Sequence, residues 1–139
     1  MEDTAYLHER IESYAGYTND ADRQRSDEQL RAYVGEALTR LRERLAPAGA
    51  AGEALERLLV RSEFANQAVA HAFDAIDVAD DEIAATAAAD RELVALADRA
   101  DTVDAAALES FFAQIGAAFD RRWRSLPPAP KSTVAPPGH

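Results

Sequence analysis

Any chemistry in this sequence has to come from carboxylates, arginines, tyrosines and three histidines, because cysteine is absent. Without a thiol there is no structural disulfide, thiolate zinc site, iron–sulfur cluster or cysteine nucleophile. His71 offers the most. Gln67 stands one helical turn before it and Asp74 about one turn after it, and a neutral imidazole oriented by a carboxylate is the usual form of a general base or metal ligand. Asn66 and Asp90 add polar groups inside the apolar stripes of two helices expected to be neighbours, so these five residues outline a small polar pocket. The plainer alternatives are a half-buried histidine with both nitrogens satisfied and, for Asn66 and Asp90, a buried polar contact that fixes packing register, with Arg57 or Arg61 as a partner for Asp90. His8 and Glu12 also lie one turn apart, on a short terminal helix where an exposed pair is the simpler reading.

Other sites fail on spacing. No Glu-x-x-His occurs, so the di-iron bundle pattern is missing. The acids Asp74, Asp77, Asp80, Asp81 and Glu82 do not follow the Asp-x-Asp-x-Asp-Gly calcium loop, and acids just before a helix have a simpler role in capping it. There is no Gly-rich phosphate loop, no Gly-x-Ser-x-Gly elbow and no His-Glu-x-x-His. Neither His8 nor His71 has, three positions on, the basic residue that a phosphorylated imidazole would want. Pro127 to Lys131 matches a PxxP ligand in form only. No cofactor and no metal are expected.

The charge balance excludes more. Twenty-five acids against fifteen bases leave a net charge of −10, which repels phosphate backbones and anionic lipid. The arginines are largely matched by acids four residues earlier (Asp27 to Arg31, Glu36 to Arg40, Glu53 to Arg57, Asp120 to Arg124), the signature of a solvated, ion-paired surface. Neither a nucleic-acid nor a membrane partner is expected. The N-terminal acids Glu2, Asp3 and Glu9 differ from a secretory leader, and no apolar run approaches the roughly 20 residues of a membrane span, so a cytoplasmic location is expected.

Alanine is the commonest residue and β-branched residues are scarce, a composition that favours helix nearly everywhere. Periodicity places a first helix over about Thr4–Ala15, stopped by Gly16. Ser26 to Gln29 reads as a capping box opening a second helix to Leu45, with residues 19–45 either one helix or two. The third helix, about Gly52–Ile76, is apolar on two flanks, one of them carrying Val60, Phe64 and His71, so it is placed either at the centre of the bundle or at an oligomer seam. A fourth helix follows the acidic corner Asp77–Glu82 and runs to about Ala100. A fifth, capped by Asp101 or Thr102, buries Leu108, Phe111, Phe112, Ile115, Phe119 and Trp123, with Arg121, Arg122 and Arg124 at the negative end of its dipole.

The expected fold is an all-α, antiparallel up-and-down bundle of four long helices plus a shorter N-terminal one. It occupies residues 1–126, ahead of a proline-rich, unstructured tail at 127–139. Function follows from the apolar surplus. The expected role is a non-enzymatic interaction module, most simply a homodimer, with Val60, Phe64, Phe111, Phe112, Phe119 and Trp123 at its interface. The alternative is a small-molecule- or metal-binding bundle, possibly an enzyme, built around His71.

Overall fold

A computed structural model describes residues 2–12, 14, 16, 20–63 and 80–125. They form five helices and no strand: α1 (Glu2–Arg10), α2 (Asp20–Leu45), α3 (Gly49–Glu63), α4 (Asp80–Asp98) and α5 (Leu108–Ser125). Single 3₁₀ turns at Arg99–Asp101 and Ala105–Ala107 link the last two. The chain is an all-α helical bundle. The end of the expected third helix, with Phe64, Asn66, Gln67, His71 and Asp74, and the tail from 127 lie outside the described residues.

Local boundaries depart from the sequence reading in ways that have physical causes. α1 stops at Arg10, and two backbone bonds, Ile11 N to Leu7 O at 2.7 Å and Tyr14 N to Ile11 O at 2.9 Å, turn the chain so that Tyr14 faces inward. Gly16, at φ 84°, supplies the left-handed residue that this turn needs. α2 is one helix through Ser26, so Ser26 is no N-cap. Its buried hydroxyl donates to the Gly16 carbonyl at 2.8 Å and fastens the incoming turn to the side of α2. The cap before α5 is Asp104, which accepts from Ala107 N at 3.2 Å. Asp101 and Thr102 are engaged elsewhere, Asp101 with Arg40 and Thr102 with the Arg99 carbonyl.

α2 packs on α3, α3 on α5, α5 on α4 and α4 on α2, closing a ring, and α1 lies outside the ring against α4. Leu30, Val34, Leu38 and Leu41 of α2 meet Leu55 of α3, Leu93 and Val94 of α4, and Phe111 and Ile115 of α5 in one core. Each such side chain contributes about 1.5–3 kcal/mol by leaving water. The helix with the most neighbours among the described residues is therefore α4, and of the two places expected for the Gly52–Ile76 helix, the centre of the bundle or an oligomer seam, its described part does not take the first. α3 occupies one corner of the ring. It buries Leu55, Leu58, Leu59 and Ser62 on one side and leaves Val60 53% exposed on the other. α4 tolerates three neighbours because Ala87, Ala89 and Ala97 present little more than methyl groups to them.

α2 and α3 are close together at Gly35. A Cβ there would lie 2.8 Å from Ser62 Oγ, so the two backbones meet at a distance only glycine allows.

Candidate functional site

The polar groups that the fold concentrates lie inside the ring. α5 follows a stripe of Leu108, Phe111, Phe112, Ile115 and Phe119, and the same period, about four turns on from Leu108, brings Arg122 to the core side. Arg122 is only 4% exposed. α2 contributes Asp27 in register with Leu30, Val34 and Leu41, and α4 contributes Asp90 in register with Leu93, Val94 and Ala97. The guanidinium of Arg122 bridges the two carboxylates, Nε donating to Asp90 Oδ1 and Nη2 to Asp27 Oδ1, each at 2.6 Å.

The chain of bonds continues at both ends. Tyr14 OH donates to Asp90 Oδ2 at 2.9 Å. Arg31 Nε donates to Asp27 Oδ2 at 3.1 Å, and its Nη1 reaches the Ser62 carbonyl at 3.3 Å. Among the described residues two acids and two guanidiniums thus meet, drawn from α2, α4 and α5 and joined to α3 and to the turn after α1. Among the described residues no buried side-chain nitrogen or oxygen lacks a hydrogen-bond partner. This matters because an unpaired ion in such a place would cost several kcal/mol.

A second cluster repeats the pattern near the surface. Asp98, two turns along α4 from Asp90, accepts from Tyr33 OH and from Arg10 Nε, the latter at 2.9 Å. Burial, reinforced by the hydrogen bond to Asp98 and that carboxylate's charge, pushes the Tyr33 hydroxyl up to about 12. Arg10 also lies over the Tyr6 ring at 3.8 Å, with Arg91 over the same ring at 4.5 Å and paired to Asp3 at 3.0 Å. The tyrosines thus divide into separate settings, Tyr14 in the buried network and Tyr6 and Tyr33 near the surface, with Tyr17 outside the described residues.

No family model matches this chain, and no match is found among curated proteins or solved structures. Its chemistry has to be read from these contacts.

Of the five residues proposed around His71, only Asp90 is described, and its partner is Arg122 where Arg57 or Arg61 was expected. Phe111, Phe112 and Phe119, proposed for an interface, are buried in the chain's own core, because the stripe they share with Ile115 faces the other helices. Val60 and Trp123 are the exposed large apolar residues among those described, at 53% and 44%. Arg122 and Trp123 exchange their expected places. The cation is inside and the indole outside, because Arg122 falls nearer the middle of the α5 stripe. His8 is exposed, with Nδ1 3.1 Å from the Tyr14 carbonyl, a contact that needs the proton on that nitrogen. Asp27 and Arg31 form the expected i,i+4 pair but inside the protein, while Arg40 binds Asp101 in place of Glu36, and Asp120 takes Arg61, at 3.1 Å, in place of Arg124.

Asp27, Arg31, Arg122 and Tyr14 went unread as a site because each was assigned a surface or core role from its type. The available signal was position. Asp27 and Arg122 both fall on apolar stripes, the same signal that singled out Asp90. Chemically, a carboxylate held between guanidinium donors keeps its charge, and an arginine keeps its proton. Among the described residues no group of three or more histidines and carboxylates is placed to hold a metal ion, and no helix is long and apolar enough to cross a membrane.

Proposed function

We propose that this protein is a non-enzymatic helical interaction module whose partner is a second copy of itself. The observation that carries the reading is the commitment of the buried polar side chains among the described residues to partners within the chain. A catalytic pocket needs acids, bases or donors left available to a substrate. Here Asp27, Asp90, Arg31 and Arg122 are occupied with one another, and what remains available is surface, including the exposed Val60 and Trp123. The competing small-molecule or metal site around His71 loses one member for the same reason, since Asp90 already lies between Tyr14 and Arg122. Absence of cysteine and the net charge of −10 suit a cytoplasmic protein that binds neither nucleic acid nor membrane.

Light scattering coupled to size exclusion tests the proposal. Twice the chain mass at micromolar concentration is the expected result. A single-chain mass up to several hundred micromolar would remove the homodimer from it.

A further inference from the structure

Two of the grooves along the outside of the ring flank α3, and their charges differ in kind. The larger, about 840 Å³ between α2 and α3, is edged by Glu28, Glu36, Glu43 and Glu63. Its two arginines are already engaged, Arg31 with Asp27 and Arg40 with Asp101. Two copies meeting there would set carboxylate against carboxylate. The smaller, about 470 Å³ between α3 and α5, has a floor of small and apolar groups, among them Ala54, Leu58, Phe112 and Gly116. Its charges are of both signs. Arg57 and Glu109 line it, and neither forms an ion pair among the described residues.

We propose that the α3/α5 face is the surface on which the second copy docks, about a two-fold axis that sets Arg57 of each chain against Glu109 of the other. The proposal rests on the homodimer reading above and names its interface. In a two-fold contact the same patch serves both sides, so it has to be self-complementary, and one unpaired cation plus one unpaired anion on a single apolar face meet that requirement. Trp123 extends the face. It lies about two turns beyond Gly116 on the same side of α5 and is 44% exposed, which suits a knob entering the small-residue groove of the opposite chain. A standard interface takes about 800 Å² from each partner; a face two helices wide and about 20 Å long projects to about half of that, and Trp123 adds to it.

The test uses the intact chain and measures its dimer dissociation constant by analytical ultracentrifugation, with circular dichroism confirming that each variant is folded. Ala113 is exposed on this face, and Ala113→Arg is expected to weaken the dimer at least tenfold without unfolding the helix. Trp123→Ala is expected to do the same. Arg57→Glu and Glu109→Arg should each weaken it, and the two together should restore it, because the swap rebuilds the pair with its signs reversed. A dimer that ignores these substitutions, or a double swap that fails to recover, would overturn the α3/α5 assignment while leaving the homodimer standing. A wild-type chain that stays monomeric would overturn both.

Discussion

Asp90 and Asp98 stand on one helix, two turns apart, and each carboxylate takes a tyrosine hydroxyl and an arginine Nε. The chemistry is the same and the solvent is not. Asp90 is fully buried, whereas the Asp98 side chain is 34% exposed. In water-poor surroundings the partners are obligatory, because removing one strands a charge that cannot rehydrate. At the surface water replaces whatever is lost, and the same set of bonds contributes little. What an ion pair is worth here depends on its place in the bundle more than on its donors.

The sharpest test of that contrast is Arg122→Met, which leaves Asp27 and Asp90 facing each other without the cation between them. A loss of about 3–5 kcal/mol in urea unfolding is expected, and a loss below about 1 kcal/mol would mean that water reaches the site. Asp90→Ala should fall in the same range and lower the melting temperature clearly. Next in size is Tyr14→Phe, expected to cost about 1–3 kcal/mol for one donor removed from a buried carboxylate. Asp98→Ala should cost about 1 kcal/mol or less, and its effect should fade in about 1 M salt, where exposed charges are screened, while that of Asp90→Ala persists.

The smallest effect is a titration. Tyr33 is held up at about 12 in the folded chain, against about 10 when unfolded. Its folded value being the higher one, the stability it contributes is complete below about pH 10 and disappears as pH rises toward about 12. Phenolate absorbance should show tyrosine ionisation near pH 12, and Tyr33→Phe should reduce its amplitude there by one residue. An amplitude that the substitution leaves unchanged would mean that the surface cluster is not as described.

Much of the bundle was legible in the sequence. Alanine content and 3.6-residue periodicity establish the all-α class, and Leu108, Phe111, Phe112, Ile115 and Phe119 on α5, assigned to the core from their spacing, are found there. Asp90 was legible too, since a charged residue inside an apolar stripe needs a partner. Its partner was not. Arg122 comes from a helix that becomes a neighbour only once the ring closes, and no local pattern encodes which helices touch. Residue type misled where position would have served: Arg122 looks like a dipole partner and Trp123 like core, yet the turn count sorts them the other way. Ser26 misled for a related reason. A serine three residues before glutamine suits a cap, but the Gly16 carbonyl that its hydroxyl actually serves belongs to a turn whose path sequence does not give.

The bridging arginine also shapes how this protein comes apart. Arg122 on α5 grips α4 through Asp90 and α2 through Asp27, and Arg31 carries the linkage to α3. Pulling α2, α4 or α5 away on its own would leave an ion behind in the core, so partial melting of these three is penalised. Backbone amides on α2, α4 and α5 should exchange with solvent at a single, common rate-limiting opening, while those of α3, held here only through a carbonyl, are free to exchange earlier.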